Sequence, residues 1–93
     1  MLFQKSTRKG KRFQATFANG KIVHFGQAGG QTYIDHGDEA KRAAYLARHE
    51  KRENWNDPYS AGALSRWILW GPTTSFDKNH DLFMKKYPVT YQK

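Results

Sequence analysis

The chain has 93 residues, 16 Lys plus Arg, 8 Asp plus Glu and no cysteine, for a formal net charge of +8. Without Cys there is no disulfide framework, thiolate zinc site or cysteine nucleophile. No apolar run is long enough to span a membrane, and Met1–Lys5 lacks the basic start and apolar core of a signal peptide.

The charge is uneven. Lys5, Arg8, Lys9, Lys11, Arg12 and Lys21 all precede the first acid, Asp35. These six residues are the candidate contacts for an anionic partner: nucleic acid, a membrane surface or an acidic protein surface. The plainer reading of such a run is a solvated face. The density of Arg8-Lys9-Gly10-Lys11-Arg12 weighs toward binding.

In chain order, Leu2-Phe3-Gln4 reads as a first strand turning near Arg8-Lys9-Gly10, which puts the basic cluster at a hairpin tip. Phe13-Gln14-Ala15-Thr16-Phe17 alternates apolar and polar, the period of a second strand. Asn19-Gly20 signals a two-residue type I′ turn. That turn pairs Ala18 with Lys21 and Phe17 with Ile22. Phe13, Ala15, Phe17, Ile22 and His24 then share one face, with Gln14, Thr16, Val23 and Phe25 on the other. Both faces hold apolar groups, so the ribbon is expected to be covered on more than one side. Thr32-Tyr33-Ile34-Asp35 reads as a short fourth strand.

From Asp38 the pattern turns helical. Asp38 is a cap, and Ala40, Ala43, Ala44 and Ala47 follow helical spacing to about Arg52 or Glu53, with Tyr45 and Leu46 supplying bulk. Lys41, Arg48 and Arg52 lie on one side, near Tyr45. Pro58 breaks this helix. Ser60 caps a second helix through Trp70, with Leu64, Trp67 and Ile68 on one face, and Gly71-Pro72 stops it. A third helix runs from about Phe76 to Tyr87. Its charges match the macrodipole, and Phe76, His80, Phe83 and Tyr87 share a face. Pro88 ends it. The expected fold is one α+β domain over residues 1–93. An antiparallel meander of three or four strands (1–35) precedes three helices (36–88) and a tail (89–93).

Catalytic signals are weak. Gly62-Ala63-Leu64-Ser65-Arg66 is no nucleophile elbow. Gly26-Gln27-Ala28-Gly29-Gly30 lacks the helix and Lys-Ser/Thr of a phosphate loop. Asp35, His36 and Asp38, with His49, form the densest candidate metal set. The simpler assignment makes His36 and Asp38 turn and cap groups, with no metal site and no cofactor. Phe13, Phe17, Phe25 and Tyr33 beside bases fit either a stacking platform for RNA or a core, and core is the commoner use. Trp55, Trp67 and Trp70 are candidate core or interface anchors. Trp70, at a helix end, is placed to meet a partner.

Several residues carry a family resemblance. They are Tyr33, Asp35, His36 and Asp38; then Arg42, Tyr45-Leu46, Arg48-His49, Glu53 and Trp55. Asp57-Pro58, Gly62, Leu64-Ser65-Arg66-Trp67-Ile68-Leu69-Trp70 and Pro72-Thr73 complete the set. Over residues 33–73 the chain resembles a family of short uncharacterised proteins encoded by large DNA viruses of algae and protists. The resemblance implies a viral setting. The expected role is a non-enzymatic structural or interaction protein in the virion, a minor capsid or capsid-associated component. It would meet other virion proteins through its basic edge and Trp anchors, with assembly in the host cytoplasm or nucleus. The alternatives are sequence-nonspecific nucleic-acid binding and, further off, a small metal-dependent enzyme.

Overall fold

The computed structural model describes residues 2–87. The expected end of the third helix at Pro88 and the tail 89–93 lie outside the described residues. Three strands, β1 (Leu2–Lys5), β2 (Lys11–Thr16) and β3 (Ile22–Gln27), form an antiparallel sheet in the order β1-β2-β3. Helices follow: α1 (Tyr33–His36), α2 (Glu39–His49), α3 (Ala61–Leu64), a π-helical turn (Ser65–Leu69) and α4 (Phe76–Lys86). The expected α+β order of a meander followed by helices is what forms.

The ribbon register differs by one residue from the expected one. Thr16 pairs with Ile22, Ala15 with Val23, Gln14 with His24 and Phe13 with Phe25. The cause is the turn. A type I′ turn needs positive φ at both central residues, but no residue other than glycine has positive φ among the described residues, and Gly20 has φ +87°. Phe17 carbonyl accepts from Gly20 N–H at 2.9 Å, and Phe17 N–H donates to Lys21 O at 2.9 Å. The loop therefore holds one residue more than expected.

A one-residue slip exchanges faces. Phe3, Phe13, Ala15, Val23 and Phe25 gather on one side by their pairing, and Gln4, Gln14, Thr16, His24 and Ile22 on the other. The second side is polar and is covered by the first turn. Gln14 Oε1 accepts from Thr7 N–H (3.0 Å) and Thr7 hydroxyl (3.2 Å), and Ser6 Oγ meets His24 Nδ1 at 2.7 Å. The apolar core is thus one-sided.

The fourth strand does not form. Asp35 draws Thr32–His36 into a helical turn: Thr32 N–H and hydroxyl both donate to Asp35 Oδ2 at 2.8 Å. Arg12 then clamps the same carboxylate from β2, Nη1 at 2.6 Å and Nη2 at 2.7 Å. These bonds, the Arg12 pair first, hold the Asp35 carboxyl far below the usual carboxylate range. A depressed carboxyl pKa stabilises the fold fully above the unfolded value, near 3.9, and the contribution fades as pH falls below it. Thermal melts of wild type and Asp35→Asn are expected to differ most near neutral pH and to converge in acid. A gap that stays constant down to about pH 2 would remove this role. His80, whose pKa burial pulls down, is common to both chains and cancels.

α2 starts at its expected cap, since Asp38 Oδ1 accepts from Ala40 and Lys41 N–H. It ends at His49, short of Arg52. Its alanine stripe faces solvent: Ala40, Ala43, Ala44 and Ala47 are all exposed, while Arg42, Tyr45, Leu46 and His49 turn inward. Bulky stacking side chains outweigh alanine in choosing the buried face, because they remove more area from water.

Ser60 and Ser75 cap α3 and α4, accepting from Ala63 and Lys78 N–H. In the π-helical turn Trp70 N–H reaches back five residues to Ser65 O at 2.9 Å. Leu64, Ile68, Leu69 and Phe83 pack on Ala15, Phe17, Val23 and Phe25. Phe3 and Phe13 extend this core to Phe76, with ring centroids 5.4 Å apart in each pair.

Candidate anion-binding site

The six expected cations divide into three groups. Lys5 ends β1, Arg8 and Lys9 sit in the following turn, and Lys11 opens β2. The turn is held by Lys11 N–H on Arg8 O (3.2 Å), Ser6 N–H on Arg12 O (3.1 Å) and Arg8 N–H on Ser6 Oγ (3.0 Å). Ala28 N–H ties it to the loop after β3 through Gly10 O at 3.0 Å. All four cations are exposed, and among the described residues none has a carboxylate within ion-pair distance. Arg12 is spent on Asp35 and on the face of Phe13, 4.9 Å away. Lys21 lies at the other end of the ribbon, roughly 20 Å off at strand spacing, over Tyr59. Lys5, Arg8, Lys9 and Lys11 therefore form the tip, without Arg12 and Lys21.

Beside the tip opens a cleft of about 620 Å³ between the loop after β3, α2 and the start of α3. Lys11 belongs to both tip and cleft, and Lys41 and Arg48 add two exposed cations from α2. The signal for this pair was in the sequence, as one cationic side of α2 near Tyr45. What the sequence did not show is that the loop after β3 folds opposite that side.

The acid on the cleft wall, Glu53, is internally engaged. Its Oε2 meets His49 Nδ1 at 3.2 Å, and its Oε1 accepts from Trp55 Nε1–H at 2.9 Å. Gly62 allows this approach, since a Cβ there would stand 2.9 Å from the Glu53 carboxyl carbon. The inner wall is a column of rings. His49 stacks on Tyr45 at 4.1 Å, Tyr45 on Trp70 at 4.2 Å and 4°, and His36 meets Trp70 edge-on at 5.5 Å. Burial, then the Glu53 charge, pushes the Tyr45 hydroxyl well above its ordinary pKa, so it stays protonated.

The three tryptophans are turned to internal use. Trp70 is 9% exposed. Its carbonyl accepts from Arg42 Nε–H and Arg66 Nη1–H, both at 3.2 Å, and Arg42 also reaches Gly71 O at 2.9 Å. Two guanidinium groups thus satisfy the two carbonyls just past the π-helical turn. Burial, then Arg42, pulls the Arg66 pKa down, yet a guanidinium remains charged. Trp67 Nε1–H donates to Trp55 O at 2.9 Å, and Arg66 lies over both rings. Trp70 is accordingly a buried wall, where the sequence placed it to meet a partner. Phe17, Phe25 and Tyr33 are buried too, and Phe13 is half-buried, so these rings serve the core.

Asp35, His36, Asp38 and His49 do not converge. Asp35 holds Arg12, His36 Nδ1 accepts from Asp38 N–H at 2.8 Å, Asp38 caps α2 and His49 pairs with Glu53. No group of three or more His, Cys, Asp or Glu able to hold a metal occurs among the described residues. No helix among them is long and apolar enough to cross a membrane.

Fold and site define a small α+β protein with a cationic tip, unpaired among the described residues, next to a cationic cleft. Residues 1–49 match a family of unknown function, DUF5754, and the chain belongs to that family. It is 34% identical to Uncharacterized protein L851 of Acanthamoeba polyphaga mimivirus over a 76-residue alignment, covering 71% of this chain and 76% of the relative. The relative agrees with the expected likeness to proteins of large DNA viruses. The family match also takes in the basic N-terminal third, which the resemblance over 33–73 left out. No solved structure matches the chain.

Proposed function

We propose that the protein is a non-enzymatic, virus-type interaction module that binds nucleic acid without sequence preference, the phosphate backbone crossing the β1–β2 tip. The observation that carries this reading is the group Lys5, Arg8, Lys9 and Lys11, exposed together with no carboxylate partner among the described residues. Docking on a protein neighbour draws much of its energy from a central anchor, often Trp or Tyr. The tryptophans expected to supply it are engaged internally. Protein–nucleic acid contacts are polar and strongly positive, as this tip is.

Charge reversal at Arg8→Glu and Lys9→Glu together is expected to weaken binding of a single-stranded oligonucleotide by about tenfold or more at low salt. Both residues lie in an exposed turn, so circular dichroism should show an unchanged fold. Unchanged affinity in a folded double variant would refute the tip as the site. A place in the virion, near the genome, is part of the proposal; the mimivirus relative supports only the viral origin on which that place depends. Mass spectrometry of purified particles is expected to detect the protein, and its absence would remove that location.

A further inference from the structure

We infer that the cleft beside the tip is a nucleotide site, taking the terminal nucleotide of a strand whose backbone crosses Arg8 and Lys9. The inference rests on the nucleic-acid reading above. Its volume, about 620 Å³, lies within the range of small-molecule sites, about 300–1,000 Å³, and is far larger than a bare phosphate requires.

The cleft is lined by three cations and one carboxylate. Lys11, Lys41 and Arg48 approach from β2 and α2. The carboxylate in the lining, Glu53, already accepts from Trp55 Nε1–H and meets His49 Nδ1. An anion entering the cleft therefore meets cations that have no carboxylate partner among the described residues, and an acid that has its own partners.

The remaining wall suits a base. Gln27, the last residue of β3, and Gln31, on the loop after it, each offer an amide donor and a carbonyl acceptor. Tyr45 and Trp70 supply a rigid apolar wall, fixed by their 4.2 Å stack. Phosphate then sits toward Lys41 and Arg48, and the base toward the glutamines. Lys11, shared with the tip, connects the two sites.

A mononucleotide separates this inference from the previous one, because it carries no polymer backbone. Titration of the full chain with adenosine 5′-monophosphate is expected to be saturable, with Kd below about 1 mM. Lys41→Glu with Arg48→Glu should weaken it by about tenfold or more, while Arg8→Glu with Lys9→Glu should leave it within about twofold. Lys41→Gln with Arg48→Gln is the milder pair and should also weaken it, should the reversed pair fail to fold. No saturable binding, or binding indifferent to both cleft pairs, would overturn the inference without touching the tip. Inorganic phosphate binding as tightly as the nucleotide would overturn the assignment of a base site.

Discussion

Asn79→Ala is expected to destabilise the fold by about 3 kcal/mol, although it removes a single small polar side chain. Asn79 is fully buried in α4. Its Nδ2 donates to Ile68 O and Thr73 O, each at 2.8 Å, and its Oδ1 accepts from Thr73 N–H at 3.0 Å and Thr73 hydroxyl at 2.7 Å. Every donor and acceptor of the amide is used. Alanine leaves Ile68 O, at the carbonyl end of the π-helical turn, and both backbone groups of Thr73 without these partners. The buried Ile68 carbonyl alone costs about 1–3 kcal/mol as an orphan, and the part-buried Thr73 groups add to it. Gly71 closes the same site, because a Cβ there would strike Trp67 O and Asn79 Cγ. In a domain this size the loss translates into a Tm lower by roughly 12–24 °C. Asn79→Asp keeps the acceptors but turns an oxygen toward two carbonyls, and should fare little better. A Tm within a few degrees of wild type for both would mean that water replaces the amide.

Trp70→Ala is expected to cost about 4 kcal/mol. The ring is stacked on Tyr45, edge-on to His36, and buried. Its removal empties the space between α2 and the π-helical turn, where few small side chains can collapse to fill it. Trp70→Phe retains part of the stack and should lose less than half as much. Total stability for a chain of this length is roughly 5–14 kcal/mol, so either large substitution removes a substantial part of it. Thermal melts followed by near-ultraviolet circular dichroism test this, since the Tyr45–Trp70 pair is a rigid chromophore. A mild loss in Trp70→Ala, with an unchanged near-ultraviolet band, would place Trp70 outside the core.

The strand alternation, the caps at Asp38 and Ser60 and the dipole-matched α4 were legible because each depends on neighbours a few residues away. Three features were not. Asn19-Gly20 suits more than one hairpin turn, and the choice made here shifts the register and so the apolar face. Thr32–Asp35 has strand-like residues, but Arg12 from β2 clamps Asp35 and favours a helical turn. Ala40, Ala43, Ala44 and Ala47 have the periodicity of a buried stripe, yet Tyr45 stacking on Trp70 sets the rotation of α2. The last two are decided by a residue distant in sequence. The same holds for the site. The basic tip was visible as a run, while the pairing of Arg12 and the cleft opposite Lys41 and Arg48 needed the fold.

The central claim is that phosphates neutralise Lys5, Arg8, Lys9 and Lys11. Oligonucleotide affinity measured across a salt series tests it most directly. Four phosphate contacts on a single strand predict a slope of log affinity against log salt near −3, falling to about half that in the Arg8→Glu, Lys9→Glu variant. No binding at low salt, or a slope near zero, would contradict the account.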